Sequence, residues 1–463
     1  MTVRTILKTD FLNKFRRLKS GIAGVTILFL LIGMSIYAAA AVPLDSFRQW
    51  NNPNYWIKYP KSAMPAWTNI FTSKKQPEQL IKDNAIVTEG ASYQGVKNIT
   101  YTYKFAFNYD FFPNDFMISY AVRYGSIPPI FDVQLGRPDG ESFDLISSSL
   151  PSPQGTHYVF KDTLFSTDSQ IHESLQNYLD RYSYNVDVTR PEVMIFSAKN
   201  NPSVLKGIYT LRLTFSFFDE NRYDKVLNTE FILGGKVFGL LGTDELRHDL
   251  STGILWGTPV ALFIGLSVAI VSTFIGLFYG LTAAYKGKKT EPTLMMIVQI
   301  VINIPTLFIL IILAITIGRS IFLIVGFFTL FGWVGMALIS RSMGLQIKSY
   351  AYVEAAKLMG ESDIKIIFRH IIPQLLPFAF ATIALAVPSA ILAESGLSFI
   401  GLGDPTIPTW GQILHDAQSS DAAARGMWWW IMPPGVMIGI TTVAFVLISR
   451  SLESIVNPRM KKI

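Results

Sequence analysis

The sequence contains no cysteine and little charge. The absence of Cys among 463 residues excludes disulfides, thiolate metal sites and cysteine nucleophiles. Charged residues make up only 16% of the chain, against about 25% in soluble globular proteins. Half of the residues are hydrophobic and the mean hydropathy is +0.34. This composition excludes a chain that is soluble throughout, and it excludes disorder, which requires low hydrophobicity and high charge.

Histidine is also scarce, and its spacing is not that of a metal site. The five histidines stand far apart in the chain, whereas zinc ligands recur at short, regular intervals. They are His157, His172, His248, His370 and His415. The sequence therefore predicts no metal site. No catalytic residues and no cofactor of its own are predicted either.

Long uncharged apolar runs predict six transmembrane helices. A run of about 18 residues or more is long enough to span a bilayer. The predicted spans are Gly21–Val42, Pro259–Tyr285, Thr293–Gly318, Ser320–Ser340, Leu376–Ile400 and Trp428–Ser449. A short interfacial piece that starts at Ser251 is expected before the second span. Pro305 and Pro388 are expected inside helices, where membrane bundles tolerate kinks.

Lysine and arginine indicate how these spans are oriented. They cluster before the first span, between the second and third, between the fourth and fifth, and after the sixth. With six spans, all four clusters fall on one side, which the positive-inside rule assigns to the cytoplasm. The chain is thus expected to be a multi-pass cell-membrane protein with both termini cytoplasmic. This explains its net charge of +7 without nucleic acid. A cleaved signal peptide is the alternative for the first span, because Ala38–Ala41 supplies small residues at its end.

Residues 43–240 differ in composition and predict an extracellular, β-rich, sandwich-like domain. Apolar and polar residues alternate, or apolar runs stand between turn residues, in several segments. The predicted strands are Ile99–Tyr109, Met117–Arg123, Ile130–Leu135, Asn185–Phe196 and Ile208–Phe217. Asp168–Arg181 is a predicted helix and Arg137–Gly140 a predicted turn. No pair of carboxylates suggests a glycosidase, so a structural or docking role is favoured. Asn98-Ile99-Thr100 is the only glycosylation sequon, and its use is left open.

The loop after the fourth span carries a short helical pattern. The spacing i, i+3, i+4, i+7 places four residues on one predicted helical face: Tyr352, Ala355, Ala356 and Met359. Gly360 can end that helix in the left-handed conformation. Ser362 or Asp363 can then cap a second helix that continues to Arg369. Such a helix could dock into a groove of another protein, or it could rest on lipid headgroups.

Three segments resemble a known family. Glu354-Ala355-Ala356 with Gly360 and Ile371-Ile372-Pro373 resembles the EAA loop of ABC importer permeases. Leu241–Asp249 resembles the segment before their second span, and Ala390–Gly403 with Pro408–Gly411 resembles their fifth span and outer loop. Together the segments are similar to the second, C-type subunit of dipeptide and oligopeptide permeases, over roughly half of the chain.

The chain departs from the family pattern in two places. Arg247-His248 stands where the family usually has Gly-Arg before Asp249. The insertion between the first two spans is much longer than usual. In having such an insertion, the chain is similar to archaeal members of the family, some of which transport oligosaccharides.

The resemblance implies a type I permease fold with a cytoplasmic N-terminus (1–20), a first transmembrane helix (21–42), the outer domain (43–240) and a permease core (241–463). It implies that a coupling loop at 341–373 binds an ATPase through six residues: Tyr352, Glu354, Ala355, Ala356, Met359 and Gly360. The implied partners are a second permease, two cytoplasmic ATPase subunits and an extracellular solute-binding protein. The implied substrates are di- and oligopeptides, with cello-oligosaccharides or related oligosaccharides as the alternative.

The chain lacks the phosphate-binding motif of an ATPase. At Gly287-Lys288-Lys289-Thr290, the nearest similar segment, Thr282 stands in place of the first glycine. The chain is thus expected to be a transport subunit and not an enzyme, with ATP bound by its partners. A membrane receptor with a ligand-binding β-domain, or a secondary transporter, is a less favoured alternative. Six spans and a short tail disfavour the receptor, and the absence of inverted repeats disfavours the secondary transporter.

Within the spans, one carboxylate and two glycine pairs are of interest. Glu394, with Ser395 beside it, could line or gate the pathway, because a carboxylate at membrane depth is costly. The alternative is a structural carboxylate bonded to the following loop. Gly276-x-x-x-Gly280 and Gly435-x-x-x-Gly439 permit close helix approach, and packing within this chain is favoured over packing against a second permease.

Overall fold

The computed structural model describes residues 15, 17–90, 96–125, 127–153, 158–182, 190–198, 201–218 and 224–456. Its helices are α1 (Lys19–Ala41), α2 (Leu44–Arg48), α3 (Pro53–Trp56), α4 (Ser169–Tyr182), α5 (Pro191–Phe196), α6 (Leu250–Lys286), α7 (Thr290–Ile302), α8 (Thr306–Thr316), α9 (Ile321–Gly332), α10 (Val334–Lys348), α11 (Ala351–Leu358), α12 (Asp363–Ile366), α13 (Ile372–Phe399), α14 (Trp410–Ser419) and α15 (Trp428–Val456). Ala66–Ile70 is a 3₁₀ turn and Ile367–Ile371 a π-helical turn.

The chain forms two compact units. One is Pro53–Leu250, and the other joins Met1–Asn52 to Ser251–Ile463. The unit Pro53–Leu250 begins at residue 53, whereas the outer domain was expected to begin at 43. The reason is that Phe47 belongs with the helical unit, where its ring lies 5.1 Å from that of Trp256. The first unit ends at residue 250 instead of 240 because the segment after Leu240 is bonded back to it.

Pro53–Leu250 contains two antiparallel sheets. Its strands are β1 (Leu80–Lys82), β2 (Ile86–Glu89), β3 (Lys97–Phe107), β4 (Asp115–Tyr124), β5 (Ile130–Gly136), β6 (Ser142–Ser149), β7 (Tyr158–Phe165), β8 (Ser197–Ala198), β9 (Asn201–Val204), β10 (Gly207–Phe217) and β11 (Lys225–Gly234). One sheet has the order β1-β11-β4-β7 and the other β2-β3-β10-β5-β6, while β8 and β9 form a separate pair. The predicted β-rich, sandwich-like region is confirmed.

Aromatic side chains from both sheets form the core of this unit. Tyr120 of β4 lies 4.4 Å from Phe131 of β5, ring to ring, and Phe105 of β3 lies 5.1 Å from Phe231 of β11. The Tyr103 hydroxyl donates to Thr229 Oγ1 at 2.7 Å, so a buried phenol keeps its hydrogen bond across the core. Alternation along β3 and β5 supplies the inward-facing rings of Phe105 and Phe131.

One predicted strand is wrong. In Asn185–Phe196, residues 185–189 lie outside the described residues, and Pro191–Phe196 is helix α5. Pro191 stands in the first turn of that helix, where a missing N–H costs nothing because no acceptor precedes it. The predicted helix at 168–181 corresponds to α4.

The helical unit supplies the membrane spans. In the described part of the chain, five helical stretches are long and apolar enough to cross a bilayer: Lys19–Ala41, Leu250–Lys286, Ile321–Lys348, Asp363–Phe399 and Trp428–Ile455. The pair α7 and α8, bent by 67°, makes a sixth if it is one span. The predicted α-helical membrane protein is thus confirmed, and the predicted six spans are reached when α7 and α8 count as one span.

Two details of the predicted spans are wrong. No interfacial piece is separate from the second span, because α6 runs unbroken from Leu250 and contains Pro259. Pro305 does not lie inside a helix: it precedes α8, at the break after α7. Proline disfavours helical geometry at the residue before it, which is Ile304, and it cannot donate to the preceding turn. Pro388 does lie inside α13, as predicted.

The first glycine pair packs within the chain, whereas the second has no such contact with the residues that the structure describes. A Cβ atom added at Gly276 would meet the Trp333 carbonyl oxygen, and one at Gly280 would meet that of Ala337. The Ser340 hydroxyl also donates to the Gly276 carbonyl oxygen at 3.0 Å, which joins α6 to α10. Gly435 and Gly439 have no described atom within 4 Å of such a Cβ. The second pair therefore lies on an open side of α15.

Candidate functional site: the coupling loop and the outer loop

Helix α11, the predicted coupling helix and so named below, ends in a Schellman motif at Gly360. The Gly360 N–H donates to the Lys357 carbonyl at 3.0 Å, and the Glu361 N–H donates to that of Ala356 at 3.2 Å. Gly360 has φ +83°, a conformation that costs other residues more than glycine. The predicted glycine stop is thus present. Ser362 precedes the next helix, α12, but its side chain makes no capping bond.

The coupling helix has a buried side and an exposed side. Val353 and Ala356 are only 2% and 3% exposed. Four of the exposed residues define what we call the coupling surface: Tyr352, Ala355, Leu358 and Met359. The spacing predicted that Ala356 shares one face with Tyr352, Ala355 and Met359. That prediction is wrong, because Ala356 packs inward beside Val353. Glu354 is exposed as well.

The buried side joins the coupling helix to the membrane helices. Val353 and Ala356 belong to one apolar cluster with residues of α6, α10, α12 and α13, among them Leu281, Ile347, Ile366 and Leu375. Lys348 strengthens this join, because its ammonium group donates to the carbonyls of Ala284 and Tyr285 at 3.2 and 2.7 Å. A cation at the C-terminal end of α6 is favoured by the helix dipole. Helix α11 is thus packed directly on several membrane helices.

A polar latch connects the end of the coupling helix to the π-helical turn. His370 Nε2 lies 2.8 Å from a Glu361 carboxylate oxygen, and Lys365 Nζ lies 3.2 Å from the other. Donation from His370, followed by that from Lys365, lowers the pKa of Glu361 below its ordinary value of 4.5. The Gln374 side chain donates to the Tyr352 hydroxyl, which links the coupling helix directly to α13.

Replacing Glu361 by glutamine should loosen this latch. We expect backbone amides at 359–371 to exchange hydrogen roughly two- to tenfold faster at neutral pH, because one charge-assisted contact is removed. The folded state lowers the pKa of Glu361, so the contact stabilises the loop above pH 4.5 and is lost as pH falls through the depressed pKa. The difference between variant and parent should therefore shrink as the pH falls below 4.5 and disappear once it is below the depressed pKa of Glu361. Glu354→Gln, at an exposed position, is the matched control, and equal exchange in all three chains at neutral pH would contradict the latch.

Glu394 and Ser395 lie at the outer part of α13. Glu394 is 3% exposed, and its carboxylate accepts from Ser398 Oγ at 2.7 Å and from Ser395 Oγ at 3.4 Å. Gly403 and Gly411 pack so closely on this turn that added Cβ atoms would meet Ser398 and Ser395. Glycine in the family-like outer loop therefore has a packing reason. These contacts favour the structural role for Glu394, and its place in a pathway stays a prediction.

The unusual Arg247-His248 pair has structural partners inside Pro53–Leu250. Arg247 Nη1 donates to the Tyr59 carbonyl at 2.7 Å, and Nη2 pairs with an Asp115 carboxylate oxygen at 2.5 Å. His248 Nδ1 lies 2.7 Å from a carboxylate oxygen of buried Asp244. In this chain the segment is thus bonded to the β-rich unit.

Comparison with known proteins identifies this architecture. Residues 272–462 match the family described as binding-protein-dependent transport system inner membrane components. The dipeptide transport system permease protein DppC of Bacillus subtilis is 32% identical over 271 residues, which cover 57% of this chain and 84% of that protein. The chain belongs to this permease family. The oligopeptide transport system permease proteins OppC of B. subtilis and Haemophilus influenzae are 31% and 32% identical, over 48% of this permease and 72% and 71% of their own lengths.

Some parts of the site in this permease were not predicted. Leu358 was not singled out, because sequence spacing alone does not show which side of a short helix is covered. The contact of Glu361 with His370 was not predicted either, since it spans nine residues and requires the π-helical turn. Family membership confirms the resemblance that the EAA loop indicated, and with it a transport role.

Proposed function

We propose that this chain is a membrane subunit of an ATP-driven importer of di- and oligopeptides. The observation that carries the proposal is the coupling loop, where an exposed apolar surface is joined to the membrane helices through buried Val353 and Ala356. The relatives named above are dipeptide and oligopeptide permeases, and this favours peptides over oligosaccharides.

The basic loops support a cytoplasmic position for this surface. Lys348 reaches the end of α6, so the basic segment at 286–289 and the coupling loop lie at one end of the helical unit. Both are rich in lysine, which the positive-inside rule places in the cytoplasm. Residues 53–250 would then lie outside the cell.

The chain requires partners for both energy and substrate. It has no Gly-x-x-x-x-Gly-Lys-Ser/Thr motif in its sequence, so ATP would be bound by two cytoplasmic ATPase subunits docked on the coupling surface. A second permease would complete the pathway, and a solute-binding protein would deliver the substrate. Tyr352, Glu354, Ala355, Met359 and Gly360 would form or shape the contact with the ATPase. Ala356 would act from the buried side.

Closure of the ATPases would move the coupling helix, and the packed cluster would carry that movement to α6, α10 and α13. The π-helical turn at Ile367–Ile371 stands between the coupling helix, α11, and α13. Such turns often mark functional positions in helices, and this one would absorb the change in angle. ATP would then bias an inward–outward equilibrium by binding one state more tightly.

Purification of the complex tests the proposal. The tagged permease, isolated gently from its native membrane, should bring two ATPase chains, a second permease and a solute-binding protein. In proteoliposomes the complex should take up labelled di- and oligopeptides with ATP, and cello-oligosaccharides should not compete. Recovery of the chain alone, in a detergent that preserves other ABC complexes, would contradict the proposed assembly. Uptake of oligosaccharides but not peptides would contradict the substrate.

The β-rich unit is proposed to dock the solute-binding protein or to shield the outer mouth. Trp50 packs closely on Gly253, so residues 52 and 251 lie near each other and a short glycine-serine linker can replace 53–250. We expect the shortened permease to retain its ATPases but to lose about tenfold or more in uptake at low substrate, because one docking surface is absent. Unchanged uptake would exclude this role, and a linker of twice the length controls for strain.

A further inference from the structure

The β-rich unit has a compact apolar patch on its solvent-exposed surface. Ile70 and Phe71 are 76% and 80% exposed, and Trp67 and Leu240 beside them are exposed as well. We call these four residues the interfacial patch. Lone exposed apolar residues are ordinary on a protein surface, whereas a group of large ones marks an interaction site.

The patch is held in one conformation. The Trp67 indole N–H donates to the Leu240 carbonyl at 2.9 Å, and the Ala66 N–H donates to that of Gly239 at 3.0 Å. Buried Asn69 bonds both backbone groups of Gln76, at 2.9 and 3.0 Å. These hydrogen bonds fix the conformation of the loop that carries the apolar side chains. Little conformational entropy is therefore lost when the patch binds a surface.

One residue of the patch, Leu240, lies near the residue at which α6 begins. The Leu250 N–H donates to the Gly242 carbonyl at 3.1 Å, and Leu250 is the first residue of α6. Since consecutive Cα atoms are about 3.8 Å apart, Leu240 lies within about 13 Å of the start of that span. The patch therefore belongs to the end of the β-rich unit that continues directly into a membrane helix.

The chemistry of the patch fits a lipid–water interface. Tryptophan is enriched at that depth, and apolar side chains beside lysines are typical of segments that lie in the interface. Lys74 and Lys75 are exposed next to Phe71, and the Lys75 ammonium donates to the Asn69 and Thr72 carbonyls at 2.6 and 3.2 Å. We propose that the interfacial patch inserts into the lipid headgroup region and anchors the β-rich unit on the bilayer.

The absence of cysteine makes a direct test possible, because single-cysteine variants carry no background. The full chain would be placed in nanodiscs of phosphatidylcholine and phosphatidylglycerol and spin-labelled at Ile70→Cys or Phe71→Cys. Both labels should be more accessible to lipid-soluble oxygen than to a water-soluble nickel chelate. Ile86→Cys is the matched control, since Ile86 is 61% exposed on β2, and its label should show the reverse.

Two outcomes would overturn the proposal. One is greater accessibility to nickel at all three positions. The other is a label at residue 71 that becomes protected only when a solute-binding protein is added, which would make the patch a protein-docking surface. As a further check, Ile70→Ser with Phe71→Ser should remove oxygen accessibility from a label at Leu240→Cys while the melting temperature of the chain is unchanged. Retained accessibility there would show that the patch is not the anchor.

Discussion

Replacing Met359 by aspartate is expected to abolish binding of the ATPase subunits while the permease stays folded. Met359 is 80% exposed and follows the last residue of the coupling helix, so its side chain adds little to the fold. On a docked surface, however, an unpaired carboxylate must be desolvated. Loss of a central contact typically costs about 2–4 kcal/mol, or roughly 30- to 1000-fold in Kd.

The measurement is co-purification of the ATPases together with ATP-driven peptide uptake. Met359→Leu is the matched control and should retain both. Val353→Asp should behave differently, because Val353 is buried in the cluster beneath the coupling helix, and that variant should lose thermal stability as well as assembly. Normal uptake by Met359→Asp would exclude the coupling surface as the contact with the ATPase.

The sequence predicted most accurately what local chemistry determines. Gly360 ends the coupling helix because no other residue adopts φ +83° at so small a cost. The alternation of β3 and β10 was visible because each strand has one covered face and one more open face. The long apolar runs predicted the spans, since a bilayer imposes a minimum length on every helix.

What the sequence did not predict depends on the surroundings of a segment. Strand β11 is buried at every position from Thr229 to Gly234, so its pattern does not alternate. Asn185–Phe196 had enough apolar residues for a strand, but a short apolar run does not distinguish a strand from a buried helix. At the coupling helix, Ala356 and Met359 fit one face by spacing, and only the cluster beneath the helix determines that Ala356 is covered.

The two glycine pairs are indistinguishable in sequence but should respond oppositely to substitution. A leucine at Gly280 would overlap the Ala337 carbonyl oxygen and the Ser340 hydroxyl of α10. Overpacking typically costs about 1–3 kcal/mol, and here the obstacle includes backbone, so we expect a loss at or above the upper end. At roughly 2–4 °C per kcal/mol the melting temperature should fall by about 6–12 °C or more.

Gly439→Leu is the control that the chain itself provides, because it lies in an equivalent spacing on a membrane helix with no described atom within 4 Å of its Cβ position. Its melting temperature in detergent should stay within about 2 °C of the parent, since surface substitutions rarely exceed 0.5 kcal/mol. Equal destabilisation by the two variants would contradict the packing of α6 on α10. Gly439→Leu can also be tested for co-purification with the second permease. Loss of co-purification at unchanged stability would identify the open side of α15 as the surface on which the two membrane subunits meet, since small residues there permit close helix approach.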